Sequence, residues 1–293
     1  MRRIILAVFA AGAAVCAATM PAAAINSYNA TPAPERTEVG AFMALWDQTG
    51  DGVPDRFDWV CSGTMVDSDT YLTAAHCTAD WPAGTRFYVS LEQNVQSLLD
   101  DAAAAGLTPA QAAAAFVKDG HAVEGDTHQD PSYPGNSADA HDIGVIDFAG
   151  RQTAPADVWH FTPATLPTTG QLSKLGSRAL DAAAWTVAGY GTQEAVNGPG
   201  GQTHPGGGIR MKAPVDFDAL NKTWVRLAMT APQGNGGACY GDSGGPNFVT
   251  FGGKLVLAAT TITGDTPCYA TNVTYRLDTP SARSFLAPYV KLP

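Results

Sequence analysis

Gly241-Asp242-Ser243-Gly244-Gly245-Pro246, with Cys239 just upstream, is the stretch that decides how this chain is read. A serine among such small neighbours sits on a tight turn that a substrate carbonyl can approach closely. The glycine-flanked backbone also leaves N–H groups free to meet a developing oxyanion. A serine hydroxyl is weakly nucleophilic at neutral pH, so this seat requires a base within hydrogen-bond reach and a third group to orient that base.

Working outward, the chain supplies both. Tyr71-Leu72-Thr73-Ala74-Ala75-His76-Cys77 carries a histidine, and His141-Asp142-Ile143-Gly144-Val145 sets an acid at the start of an apolar, strand-like run. The glycines around Ser243 also satisfy the G-x-S-x-G elbow of α/β-hydrolases, but that fold needs its histidine after the serine. The last histidine here is His204, so the esterase elbow is excluded. There is no H-E-x-x-H and no Cys-x-x-Cys pair, and the six histidines are scattered, so no catalytic metal is expected. His141 adjoins Asp142 without the Ala-Ala-His-Cys setting of His76 and reads as a flanking residue.

In these three motifs the sequence resembles the chymotrypsin/trypsin-like serine proteases of the secreted, bacterial type, over essentially all of the chain beyond residue 24. The resemblance implies an all-β fold of two antiparallel six-stranded barrels with a closing helix near 280–290, and an active site in the cleft between the barrels. It implies Ser243 as nucleophile, His76 as general base and Asp142 as the group that orients His76. The N–H groups of Gly241 and Ser243 would form the oxyanion hole. Asp242 matches the family's buried carboxylate, which pairs with a newly made N-terminal ammonium. The expected partners are protein or peptide substrates. The alternative reading, a catalytically silent relative that binds proteins through the same cleft, usually shows itself by loss of a triad residue, and here all three are present.

Met1-Arg2-Arg3, a short apolar run and Pro21-Ala22-Ala23-Ala24 read as a signal peptide over 1–24 with an A-x-A cleavage site. Secretion is therefore expected, and cleavage would expose Ile25, although Ile25-Asn26-Ser27-Tyr28 departs from the family's usual Ile-Val-Gly-Gly. Of five cysteines, Cys16 falls in the leader, and the other four admit three pairings. The resemblance selects Cys61 with Cys77 and Cys239 with Cys268, each worth about 2–4 kcal/mol in an oxidising compartment. The formal net charge of −10 disfavours nucleic acid, and nothing after the leader is apolar for long enough to span a membrane. A monomer is expected.

Short β-branched or alternating runs at 39–46, 59–66, 86–91, 143–148, 185–190, 223–229 and 255–262, separated by turn residues, agree with an all-β chain. The first barrel is assigned to 25–165 and the second, with the closing helix, to 180–293. An Ala-rich segment at about 92–120 interrupts this pattern. Ser90-Leu91-Glu92-Gln93 and Thr108-Pro109-Ala110-Gln111 read as capping boxes, and Gly106 and Gly120 as stops, which predicts a helical hairpin inserted at the barrel surface. Asp47, Asp51, Asp55 and Asp58 fall at positions one, five, nine and twelve of a loop that admits a structural calcium ion, or equally an Asp/Gly-rich turn without one. No other cofactor is required.

For specificity, the resemblance points to three positions. Gly237 stands where basic-specific members carry an aspartate. Counting back from Tyr275, Val273 stands at a pocket position that is glycine in open pockets, and Gly264 stands on the opposite wall. These imply a non-basic P1 residue, small or medium and apolar.

Overall fold

The computed structural model describes residues 25–293, and the expected leader lies outside them. A two-residue strand, β1 (Thr31–Pro32), precedes β2 (Val39–Trp46), β3 (Arg56–Met65), β4 (Thr70–Thr73), β5 (Arg86–Ser90), β6 (Val123–Gln129) and β7 (Gly144–Asp147). The six strands from β2 to β7 close into a barrel in the order β2-β3-β4-β7-β6-β5. Further on come β8 (Ala184–Gly189), a small hairpin of β9 (Val196–Gly198) and β10 (Gly201–Thr203), and then β11 (Met211–Leu220), β12 (Trp224–Ala228), β13 (Pro246–Phe251), β14 (Lys254–Gly264) and β15 (Thr271–Arg276). Strands β11-β12-β15-β14-β13-β8 close a second barrel, β11 pairing with β8, while β1 lies along β11. Every strand pairing is antiparallel. A helix, Pro280–Leu286, closes the chain, N-capped by Thr279.

Strand periodicity decides how the barrels meet. On β2, Val39, Ala41, Met43 and Leu45 join a buried cluster that includes Ala188, Tyr190 and Phe248 of the second barrel. Phe42, pointing the other way, joins Tyr71, Val89 and Ile146. Both faces of β2 are thus covered, and each large side chain so buried is worth about 1.5–3 kcal/mol. Arg210, 3% exposed, ties the same region together. Its guanidinium donates to the carbonyls of Ala33, Val39 and Leu91 and to the Tyr190 hydroxyl at 2.9–3.2 Å.

The Ala-rich segment forms two helices, Val95–Ala104 and Pro109–Lys118, between β5 and β6. Thr108 and Gln111 complete the expected capping box, and Gly106 and Gly120 follow the helix ends at φ +70° and +77°. The first cap is a correction: Ser90 is held in β5 opposite Ala41, and Asn94 caps instead, its Oδ1 accepting from Ser97 N–H at 3.0 Å. Phe116 seats the hairpin by meeting Phe57 edge-on at 5.2 Å between centroids.

Several strands lack a sequence pattern. In β6, Gly125 lies so close to β7 that a Cβ there would come within 2.4 Å of Ile146. In β11, the Pro214 carbonyl accepts from Gly236 N–H, so its missing N–H faces that same edge and costs the β8 ladder nothing.

Candidate active site

His76 lies on a single helical turn, Ala75–Thr78, just after β4, and Asp142 immediately precedes the run into β7. One carboxylate holds the histidine twice. Asp142 Oδ1 accepts from the His76 backbone N–H at 2.9 Å, and Oδ2 pairs with Nδ1 at 2.8 Å. A carboxylate only accepts, so Nδ1 carries the proton and Nε2 is left as the acceptor. Asp142 is 7% exposed, and the His76 side chain, 30% exposed, looks into a cleft of about 370 Å³ that Ser243 also lines. The structure therefore brings the three residues together, two from the first barrel and one from the second. His141 is turned elsewhere: its Nδ1 meets Asp130 Oδ2 at 3.0 Å and its N–H donates to Asp139.

The turn carrying Ser243 is clasped by β3. Ser62 N–H donates to the Ser243 carbonyl at 2.9 Å, while Ser62 Oγ donates to the Gly241 carbonyl and accepts from Tyr190 N–H, both at 2.9 Å. With their carbonyls taken, the N–H groups of Gly241 and Ser243 have no acceptor among the described residues. That is the state an oxyanion site needs. The glycines are sterically required here. A Cβ on Gly241 would lie 2.4 Å from the Trp59 ring, and one on Gly244 would lie 2.1 Å from Thr73 Oγ1; both residues adopt positive φ. Neither Ser62 nor Trp59 is marked by a motif; adjacency to Cys61 is the one clue to Ser62.

Asp242 is fully buried. Its oxygens accept from Gly191 N–H and Cys239 N–H, each at 2.8 Å, yet burial still pushes its carboxyl up to about 7. Gly189 and Gly191 make room for it, since a Cβ at either would fall within 2.5 Å of its side chain. Ile25, also fully buried, donates its N–H to the Gly191 carbonyl at 3.1 Å. The next two residues, which depart from the family pattern, are polar with polar partners. Asn26 Nδ2 donates to the Cys268 carbonyl, and Ser27 donates through N–H and Oγ to the two Glu194 oxygens, each at 2.6 Å.

The cleft wall differs from the sequence expectation at two of its three positions. Ala238, Thr261, Thr263, Gly264, Asp265 and Asn272 line it together with the Cys239–Cys268 bridge; Gly237 and Val273 do not. Side chains alternate along β15, so where Asn272 faces the cleft Val273 faces away. Gly237 lies behind Ala238, its carbonyl accepting from Asn26 N–H and its Cα crowded by Met229. Asn272, 1% exposed, is linked through Nδ2 to Asn247 Oδ1 and Thr261 Oγ1, while its Oδ1 has no donor among the described residues. An unmatched buried acceptor costs about 1–3 kcal/mol.

Both expected disulfides form, Cys61–Cys77 and Cys239–Cys268. Among the described residues the only three-residue groups with ligand spacing include these bridged cysteines, whose sulfurs are not thiolates. The four aspartates of the 47–58 loop do not converge. Asp47 accepts from Gly50 and Gly52, Asp51 from Val53, Asp55 from Gln48 and Asp58 from Trp59, all backbone N–H groups. Among the described residues no helix is long and apolar enough to cross a membrane.

A search of curated proteins finds no match. The Trypsin family model matches residues 42–283, a span that includes His76, Asp142 and Ser243. With its two closed barrels and that match over most of its length, the chain belongs to the Trypsin family, the chymotrypsin-fold serine proteases.

Proposed function

We propose that this protein is a secreted serine endopeptidase in which Ser243 attacks the scissile carbonyl. His76 Nε2 takes the Ser243 Oγ proton as the new C–O bond forms, and the oxyanion is received by the N–H groups of Gly241 and Ser243. Collapse of the tetrahedral intermediate breaks the C–N bond, His76 returns the proton to the leaving amine, and water then releases the acyl group by the same steps. Asp142 holds the histidine tautomer and stabilises the imidazolium. The observation that carries the reading is the double anchoring of His76 on Asp142 beside a cleft that Ser243 shares.

The mature chain begins at Ile25 in this account. A β-branched residue at φ +67° is strained, and that angle ceases to exist when the preceding peptide bond is cut. The new ammonium then lies near Asp242, whose buried carboxyl has hydrogen bonds but, among the described residues, no cation. Two disulfides fit an oxidising compartment. The protein works as a monomer, with barrels over 25–165 and 180–293. Its P1 preference is non-basic, small or medium, in keeping with the uncharged Ala238, Thr261, Thr263 and Gly264 beside the Cys239–Cys268 bridge on the cleft wall.

The test is hydrolysis of an unstructured protein by the chain starting at Ile25, with new termini identified by mass spectrometry. Cleavage at internal peptide bonds that disappears in Ser243→Ala supports the reading. Equal cleavage by Ser243→Ala, or none by either, contradicts it.

A further inference from the structure

We propose that Asp139 is a positioning residue for the reaction: by fastening the loop that carries Asp142 to the second barrel, it sets the Asp142–His76 pair in place against Ser243. This role rests on the endopeptidase reading above and adds a residue that does not line the cleft. His76 and Asp142 belong to the first barrel and Ser243 to the second, so the chemistry depends on how the two barrels are set against each other. The cluster that joins them packs Val39, Ala41 and Met43 with Ala188 and Phe248. Apolar burial of this kind has no preferred direction. Hydrogen bonds supply the direction. On the nucleophile's side they come from Ser62. On the acid's side they converge on Asp139, three residues before Asp142.

Tyr275 Oη on β15 donates to Asp139 Oδ1, and Ser281 Oγ in the closing helix donates to Oδ2, each at 2.7 Å. Thr223, just before β12, adds a bond from its Oγ1 to the Ala138 carbonyl at 3.0 Å. Asp139 Oδ1 also accepts from His141 N–H at 3.1 Å, and His141 Nδ1 meets Asp130 Oδ2 at 3.0 Å, which stiffens the stretch between Asp139 and Asp142. Tyr275 is fully buried and lies opposite Thr260 in the β14–β15 ladder. The next residue, Thr261, is bonded to the nucleophile turn: its carbonyl accepts from Gly244 N–H at 2.7 Å and its N–H donates to the Gly245 carbonyl at 2.9 Å. Acid and nucleophile are thus linked by a second route that does not pass through His76. Burial acts to raise the Asp139 carboxyl, but the Ser281 and Tyr275 hydroxyls and the His141 N–H outweigh it and hold the group below its ordinary value. Burial pushes the Tyr275 phenol up, so it keeps its proton. An ionised acceptor therefore meets two neutral donors, and such bonds are roughly twice as strong as those between neutral groups. A misplacement of about 1 Å at a reacting centre costs on the order of 100-fold in rate.

The experiment measures kcat and KM for one peptide substrate on the parent chain starting at Ile25, on Tyr275→Phe, on Asp139→Ala and on the double variant. Each preparation is counted by fluorophosphonate titration carried to completion, so that rates are per reactive serine, and each is given a melting curve. A positioning role predicts that either single variant loses about tenfold or more in kcat while KM stays within about twofold of the parent. The double variant should be no slower than Asp139→Ala, because both changes remove the same brace. A kcat unchanged while the melting temperature falls makes Asp139 a loop staple and overturns the proposal. So does a loss carried by KM, or losses that multiply in the double variant. If Asp139→Ala does not fold, Tyr275→Phe, which removes a single oxygen atom, decides by its kcat. In all of these cases a parent that titrates and cleaves leaves the endopeptidase reading standing. A parent that does neither removes that reading, and the role of Asp139 with it.

Discussion

Ile25 and Asp242 are joined through a single residue: Ile25 N–H donates to the Gly191 carbonyl at 3.1 Å, and Gly191 N–H donates to Asp242 Oδ1 at 2.8 Å. On the proposed reading, this relationship makes the state of the chain terminus a condition for the shape of the Ser243 turn. Among the described residues no cation pairs with Asp242, and burial raises its carboxyl from 3.8 to about 7. The folded state then binds that proton more tightly than the unfolded state, so stability is full below about pH 4 and falls as pH rises towards 7. The shift corresponds to roughly 4 kcal/mol. Melting temperatures of uncleaved Ser243→Ala across that range should fall, and adding Asp242→Asn should flatten the curve.

In the chain starting at Ile25 the sign reverses. An ammonium beside Asp242 keeps the carboxylate ionised, so what destroys the pair is loss of the amine's proton at alkaline pH. Peptidase activity should decline as that amine deprotonates. Acetylating it, or leaving one extra residue before Ile25, should cost at least about 100-fold in kcat, the scale of losing one oxyanion donor.

Asp142→Asn should keep the fold and lose about 10⁴-fold in kcat, because an amide can donate to Nδ1 and so favour the wrong histidine tautomer. Steady-state kinetics with a matched melting curve separates this loss of chemistry from loss of structure.

Ser62→Ala removes the hydroxyl that links the Gly241 carbonyl to Tyr190 N–H across the barrels. Two buried partners lose their bond, costing about 1–3 kcal/mol. The N–H of Gly241 is no longer fixed, so kcat should fall about tenfold or more while KM changes little. A loss confined to KM would contradict the assignment of Ser62 to the oxyanion turn.

Arg210→Met should destabilise by about 1–3 kcal/mol, read by denaturant unfolding, because it leaves the Leu91 carbonyl without its donor, while the Ala33 and Val39 carbonyls keep the Arg36 N–H and the Tyr190 hydroxyl. Lysine should not rescue it, since one ammonium cannot reproduce the spread of the guanidinium donors.

How much of this was readable beforehand follows from the kind of constraint involved. The residues around His76, Asp142 and Ser243 are legible because the chemistry demands particular side chains with small neighbours at fixed chain order. Strand β2 is legible because its buried residues are apolar without interruption. Strand β6 is not, for its Val-Glu-Gly-Asp-Thr-His-Gln buries little, and β11 hides behind Pro214. On β15 the cleft-lining residue is Asn272, one position before the expected Val273, and in a strand a step of one reverses the face. Ser62, Arg210 and Glu194 act through contacts far along the chain, with no local pattern to announce them.

The most direct test of the account is the site of covalent labelling. The chain starting at Ile25 is treated with a fluorophosphonate, digested, and the adduct located by mass spectrometry beside His76→Ala and Ser243→Ala. The account predicts one adduct, on Ser243, strongly reduced in His76→Ala and absent in Ser243→Ala. An adduct on another residue, labelling unaffected by His76→Ala, or no labelling of the folded parent would contradict it.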